Sequence, residues 1–134
     1  MSIYFEWTEK MSVGEAIIDK QHQKLLSQIN KILDALVFGV NSKEVESEVK
    51  FFDEYINEHL SYEEEYMNKR GYPALASHKV WHQDFISTYT SLKKRFESNV
   101  KPSELAIDIE RYLGDWWINH IGVEDKKYYL YFSK

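Results

Sequence analysis

Residues 78–96 read His78-Lys-Val-Trp-His82-Gln-Asp-Phe85-Ile-Ser-Thr-Tyr89-Thr-Ser-Leu92-Lys-Lys-Arg-Phe96. An α-helix turns about 100° per residue, so positions three and four apart share a face. On that face Phe85, Tyr89, Leu92 and Phe96 continue a stripe that His78 and His82 begin. The stretch predicts a helix whose buried side is apolar along most of its length and carries two imidazoles, one turn apart, near its start.

Three other stretches have the same period. Leu25, Leu26, Ile29, Ile32, Leu33 and Leu36 form a buried face that stops near Gly39, with Asp19 placed as its N-cap. A second stretch runs from Ser42 to Arg70, with Asn41 and Glu44 spaced as a capping pair and Gly71-Tyr-Pro73 ending it. The last begins after Lys101-Pro102-Ser103 and carries Leu105, Ile109, Tyr112, Leu113 and Trp116 before it reaches His120. The expected elements are helices at about 19–38, 42–70, 74–98 and 103–121, behind an extended arm over residues 1–18. Short loops between amphipathic helices, with no repeats or linkers, predict an all-α antiparallel up-and-down four-helix bundle, one domain spanning 1–134.

Composition narrows the classes of function. The 134 residues suffice for one core, and 43% hydrophobic with 16% aromatic content excludes a disordered chain. A net charge of -5 argues against nucleic-acid backbones and anionic lipid as partners. The absence of cysteine excludes disulfides, thiolate zinc sites and iron–sulfur clusters. The start, Met1-Ser-Ile-Tyr-Phe-Glu-Trp7, lacks a basic segment followed by an apolar run, and no later stretch approaches a membrane span. A cytoplasmic protein with no nucleic-acid or membrane partner is expected.

All five histidines stand where a metal ligand would be wanted. His22 lies on the first helix; His59-Leu-Ser-Tyr-Glu63 and His78-Lys-Val-Trp-His82 have four-residue spacing on the second and third; His120-Ile-Gly-Val-Glu-Asp125 closes the fourth. Singly these signals are weak, because Glu58, Glu63, Glu64 and Glu65 also read as a solvated acidic face and one histidine is more often a core or surface residue. The joint pattern, one donor set per helix, is what chance does not supply. The fourth motif breaks the period. Five residues of α-helix leave Asp125 about 140° from His120, so the two cannot serve one site from a regular helix. Gly122 between them is read as the place where the helix ends or kinks, returning Asp125 to the site.

The set His22, His59-x3-Glu63, His78-x3-His82 and His120-x4-Asp125 resembles the hemerythrin family, in particular its single-domain bacterial members. Asp19-Lys-Gln-His22, Gly71-Tyr-Pro73 and Asp115-Trp-Trp-Ile-Asn-His120-Ile121 are similar to the family's pattern, except that Trp116-Trp117 stands where Trp-Leu is expected. The resemblance implies two iron ions, Fe2+/Fe3+, joined by an oxo or hydroxo bridge and binding dioxygen reversibly. In that picture His78, His82 and His120 hold one iron, His22 and His59 the other, and Glu63 and Asp125 bridge both. Five imidazoles, two bridging carboxylates and a bridging oxygen fill all but one of about twelve octahedral positions, leaving the iron with two histidines open. One open position suits a diatomic ligand, and neutral imidazoles disfavour the high-valent chemistry of carboxylate-rich di-iron enzymes. Leu25, Leu60, Trp116, Trp117 and Ile121 match the apolar residues that line the family's oxygen pocket, and Tyr128 lies one turn beyond Asp125 as an outer partner. The expected role is oxygen storage, transport or delivery to an oxygen-consuming enzyme by a monomeric, non-enzymatic protein. The alternatives are a di-iron enzyme reducing peroxide or nitric oxide, for which no electron-entry motif is recognisable, and an oxygen-sensing or iron-handling module, for which a fused signalling domain is expected.

Overall fold

The computed structural model describes residues 5–38, 42–98 and 101–133. Among them the regular elements are all helical, with α1 at Ala16–Val37, α2 at Ser42–Lys69 and α3 at Leu75–Glu97. The fourth helix, α4, is a continuous run from Pro102 to Phe132 that contains two π-helical segments. It is α-helical over Pro102–Ile109, π-helical over Glu110–Gly114, α-helical over Asp115–Asn119, π-helical over His120–Asp125 and α-helical again over Lys126–Phe132. Each helix packs on the next in sequence and α1 also packs on α4, which closes the four-helix bundle.

Local chemistry sets the ends. Glu15 caps α1, its carboxylate accepting from Ile18 N–H at 2.8 Å, so the helix begins before the expected Asp19 cap. Asp19 is used instead to hold the arm, accepting from Ser12 Oγ at 2.6 Å and Val13 N–H at 2.9 Å. The arm is therefore shorter than residues 1–18, and it contains a 3-10 turn at Glu9–Met11. Its residue Phe5 is tied to α1 by a reciprocal pair: Phe5 N–H donates to Asn30 Oδ1 at 2.9 Å and Asn30 Nδ2 donates to Phe5 O at 2.8 Å. At the end of α2, Gly71 adopts φ 68, and Tyr72 N–H reaches back to Met67 O at 3.0 Å. That left-handed residue is the helix stop which the glycine permits. Pro102 opens α4, where its missing N–H has no role to lose. The expected capping pair of Asn41 with the Glu44 side chain, and the stop at Gly39, lie outside the described residues.

The largest departure from expectation is in α4. The helix does not end at residue 121, and Gly122 does not terminate it. Backbone angles stay right-handed helical across the junction, at φ -61, ψ -49 for His120 and φ -61, ψ -28 for Lys126. The 140° mismatch is absorbed by the π turn, which takes an extra residue into one turn and lays residue i+5 over residue i. An earlier π turn shows the same backbone pattern, Asp115 N–H bonding to Glu110 O.

Two apolar clusters fill the bundle. The larger includes Leu25, Ile29, Phe52, Phe85, Trp117 and Ile121; the smaller contains Val13, Ile18, Met67, Tyr72 and Tyr128. Along the helices most histidines and acids of interest fall between them, Ile18, His22, Leu25 on α1, Leu60, Glu63, Met67 on α2, Leu75, His78, His82, Phe85 on α3 and Ile121, Asp125, Tyr128 on α4, while His59 and His120 adjoin Leu60 and Ile121 at the edge of the larger cluster. No helix among the described residues is long and apolar enough to cross a membrane.

Candidate metal centre

The seven residues singled out from sequence meet in that layer, and each is at most 3% exposed. Every imidazole presents Nε2 to the carboxylates. Glu63 Oε1 lies 3.1 Å from His78 Nε2 and 3.1 Å from His82 Nε2, while its Oε2 lies 3.2 Å from His22 Nε2 and 3.5 Å from His59 Nε2. Asp125 divides in the same sense, Oδ1 at 2.9 Å from both His78 and His120 Nε2 and Oδ2 at 3.1 Å from His22 Nε2. Two overlapping donor groups result, Glu63–His78–His82–His120–Asp125 and His22–His59–Glu63, the ligand atoms in each within 4.8 Å of one another.

These residues fit a pair of bound cations. His59 Nε2 and both oxygens of Asp125 are buried without a hydrogen-bond partner, although the Asp125 oxygens have imidazole nitrogens within contact distance. The Nε2 atoms of His82 and His120 approach to 3.2 Å. Lone pairs aimed at common points, instead of at donors, are what a buried metal site requires, since such groups otherwise bear the full penalty of burial. Electrostatics agree. Burial alone would lower His22 and His78, but Asp125 and Glu63 outweigh it and raise them to about 9 and about 10. Burial carries His59 down to about 3. Glu63 and Asp125 would be raised by burial, yet the surrounding imidazoles hold both below the ordinary carboxylate range. Protons thus occupy in the metal-free protein the place that cations would take.

Behind the inner set stand residues that sequence reasoning missed. His82 Nδ1–H donates to Glu64 Oε2 at 2.8 Å, and His59 Nδ1–H donates to Gln21 Oε1 at 2.8 Å. Such bonds fix the tautomer that leaves Nε2 free to coordinate. Both partners come from a neighbouring helix, so no spacing along the chain announces them, and Glu64 had read as part of a solvated acidic face. Tyr128, which the sequence reading did place as an outer partner, donates its hydroxyl to Glu63 Oε2 at 3.1 Å, and burial with the nearby Glu63 and Asp125 raises its phenol well above the usual range.

The five apolar positions matched to a pocket adjoin this layer. Leu25, Leu60, Trp117 and Ile121 belong to the larger cluster, with Trp116 packed against it. Trp117 is fully buried, its ring centroid 5.7 Å from His59, 6.3 Å from His22 and 5.7 Å from His120, so it touches histidines of both groups. Trp116, half-buried, lies flat on His120 at 4.5 Å and 11°. Leu60 also walls an open cleft of about 290 Å³ with Glu64, His82, Gln83 and Ile86.

Residues 13–131 match the family model described as the hemerythrin HHE cation binding domain. The bacteriohemerythrin of Methylococcus capsulatus is 30% identical over 123 residues, covering 91% of this chain and 92% of the relative. The myohemerythrin of Theromyzon tessulatum is 30% identical over 125 residues, covering 92% and 90%. A crystal structure of a leucine-to-phenylalanine mutant protein superposes with a TM-score of 0.81 at 27% identity, over 95% of both chains.

Proposed function

The chain belongs to the hemerythrin family, and from that premise we propose that it binds dioxygen reversibly at a non-haem di-iron centre, for storage, transport or delivery to oxygen-requiring enzymes. The observation that carries this reading is the division of each carboxylate, one oxygen of Glu63 and of Asp125 turned to each donor group. His78, His82 and His120 would hold one iron, His22 and His59 the other, with Glu63 and Asp125 bridging them. When bound, the iron pair would supply two electrons to dioxygen, and a hydroxo bridge the proton, both to be recovered on release.

The protein's own groups make that exchange reversible. Five neutral imidazoles and two carboxylates leave the pair less anionic than carboxylate-rich sites, which favours binding over oxidation of a second substrate. Leu25, Trp117 and Ile121, each fully buried, keep water from the donor groups and Trp116 covers the face of His120, while Leu60 walls the open cleft that leads to His82. Tyr128, through its bond to Glu63 Oε2, holds that carboxylate in its bridging orientation. The protein acts in the cytoplasm as a monomeric carrier, not an enzyme, and its downstream partner is an oxygen-consuming enzyme.

The test is the optical spectrum of iron-loaded protein under nitrogen, then air, then nitrogen. A charge-transfer band that appears with air and disappears on removal of oxygen supports the carrier. Rapid turnover of peroxide or nitric oxide with an electron donor, together with only a fleeting hold on oxygen, would replace it with the enzyme reading.

A further inference from the structure

The histidines are not supported alike on the side away from the metals. His82 Nδ1–H meets the Glu64 carboxylate at 2.8 Å, His59 Nδ1–H meets the neutral amide oxygen of Gln21 at 2.8 Å, and Nδ1 of His22 and of His120 has no hydrogen-bond partner. Of these four nitrogens only that of His82 faces a charge. Glu64 reaches it from the open cleft shared with Leu60, Gln83 and Ile86, and its 29% side-chain exposure spares it most of the cost of burying a carboxylate.

A carboxylate that accepts from an imidazole N–H draws the proton towards itself, gives the ring partial imidazolate character and makes Nε2 a stronger donor. It also adds negative charge beside a region where screening is weak. Both effects favour the more highly charged state of whatever ion that ring holds. An amide carbonyl orients its ring as well but lacks the charge.

We propose that Glu64 is a positioning residue that polarises the metal pair: acting through His82, it makes the ion held by His78, His82 and His120 the first to be oxidised and the last to be reduced. The ion held by His22 and His59, supported only by Gln21, keeps its electron longer, and this is the ion with the open position. The inference rests on the di-iron reading above and adds to it an assigned order of oxidation.

The experiment uses the full iron-loaded chain. Glu64→Gln keeps an acceptor for His82 and removes the charge; Gln21→Glu places a charge behind His59. Iron per chain, a reductive titration against mediator dyes under argon, and the Mössbauer spectrum of the half-reduced protein are measured. With two irons retained, Glu64→Gln is expected to shift the second reduction equilibrium, that of the ion held by His78, His82 and His120, about tenfold towards the reduced form, the lower end of the effect of losing an outer partner. The contrast between its ferric and ferrous signals should weaken. Gln21→Glu is expected to shift the first reduction equilibrium, that of the ion held by His22 and His59, towards the oxidised form, and the exchange of both residues should reverse which ion is ferric. An unchanged equilibrium in both single variants at two irons per chain would overturn the proposal. So would loss of iron in Glu64→Gln combined with no shift in Gln21→Glu, which would leave Glu64 a merely structural support. If the parent fails to release oxygen while these shifts appear, the carrier reading falls and the role of Glu64 stands.

Discussion

Replacing Gly114 by alanine tests how the N-terminal arm seats α4, and its sign depends on one neighbour. A Cβ at residue 114 would stand 2.0 Å from both Cε2 and Cζ of Phe5, against the roughly 3.5–4.0 Å of a favourable carbon contact. The ring cannot retreat by moving its backbone, because Phe5 N–H and C=O are both bonded to Asn30. It must swing out, forfeiting about 1.5–3 kcal/mol of apolar burial. Alanine in a helix returns about 1 kcal/mol over glycine. The net loss for Gly114→Ala is then about 0.5–2 kcal/mol, a fall of several degrees in melting temperature. In a Phe5→Ala background the obstacle is gone and only the helical gain remains, so the same substitution should stabilise by up to about 1 kcal/mol. Denaturant melts of parent, both single variants and the double variant close the cycle. Equal destabilisation by Gly114→Ala in both backgrounds would refute the steric argument.

Other outcomes follow from the metal layer. Glu63→Ala removes a carboxylate proposed to bridge the irons and should reduce iron from the proposed two per chain towards one or none, whereas Glu65→Ala, on the exposed side of α2, should leave iron content unchanged. Metal-free His22 and His78, raised from 6.5 to about 9 and about 10, are protonated at neutral pH. Iron loading should therefore release protons, measurable in weak buffer, and apparent affinity should climb with pH up to those values. Because the folded values are raised, the stability these histidines lend the metal-free fold is fully present below pH 6.5 and is lost as pH rises through about 9 to 10, which pH-dependent melts would reveal. Gly122→Ala should be neutral or stabilising by up to about 1 kcal/mol, since nothing lies within 4 Å of the new Cβ; loss of iron would restore the bend reading. In Leu25→Ala and Ile121→Ser the iron should stay near two per chain while the oxygenated form decays faster, followed by its absorbance.

The convergence of the seven side chains was legible because helical period and donor spacing carry the same message: His59 with Glu63 and His78 with His82 need only one turn of ordinary helix to meet. His120 and Asp125 were legible as a pair but not as a geometry. A five-residue step says only that regular helix fails there, and a glycine in the gap favoured a bend, although a π turn solves the same equation without breaking the chain. That choice shortened the expected α4 by the whole segment from Gly122 to Phe132. The early start of α1 was hidden by Asp19, a good cap by type, which the fold uses to anchor Ser12 and Val13 instead. Gln21 and Glu64 were not legible at all, because each serves a histidine on another helix and only packing brings them together.

The polar layer between the two apolar clusters has a consequence for cooperativity. Apolar packing transmits stability through continuous contact, and here that continuity is interrupted on all four helices by imidazole and carboxylate groups. With cations in place the interruption is bridged by bonds that join every helix at one level. Without them the end of the molecule holding Val13, Ile18, Met67, Tyr72 and Tyr128 is the smaller partner, and it becomes free to open by itself. Amide exchange in the metal-free protein should then divide into two populations, with the last turns of α4 and the start of α1 exchanging well before the segments around Ile29, Phe52 and Phe85. In the loaded protein the two should merge into a single unfolding unit, so that metal occupancy is read out as the size of the piece of structure that opens.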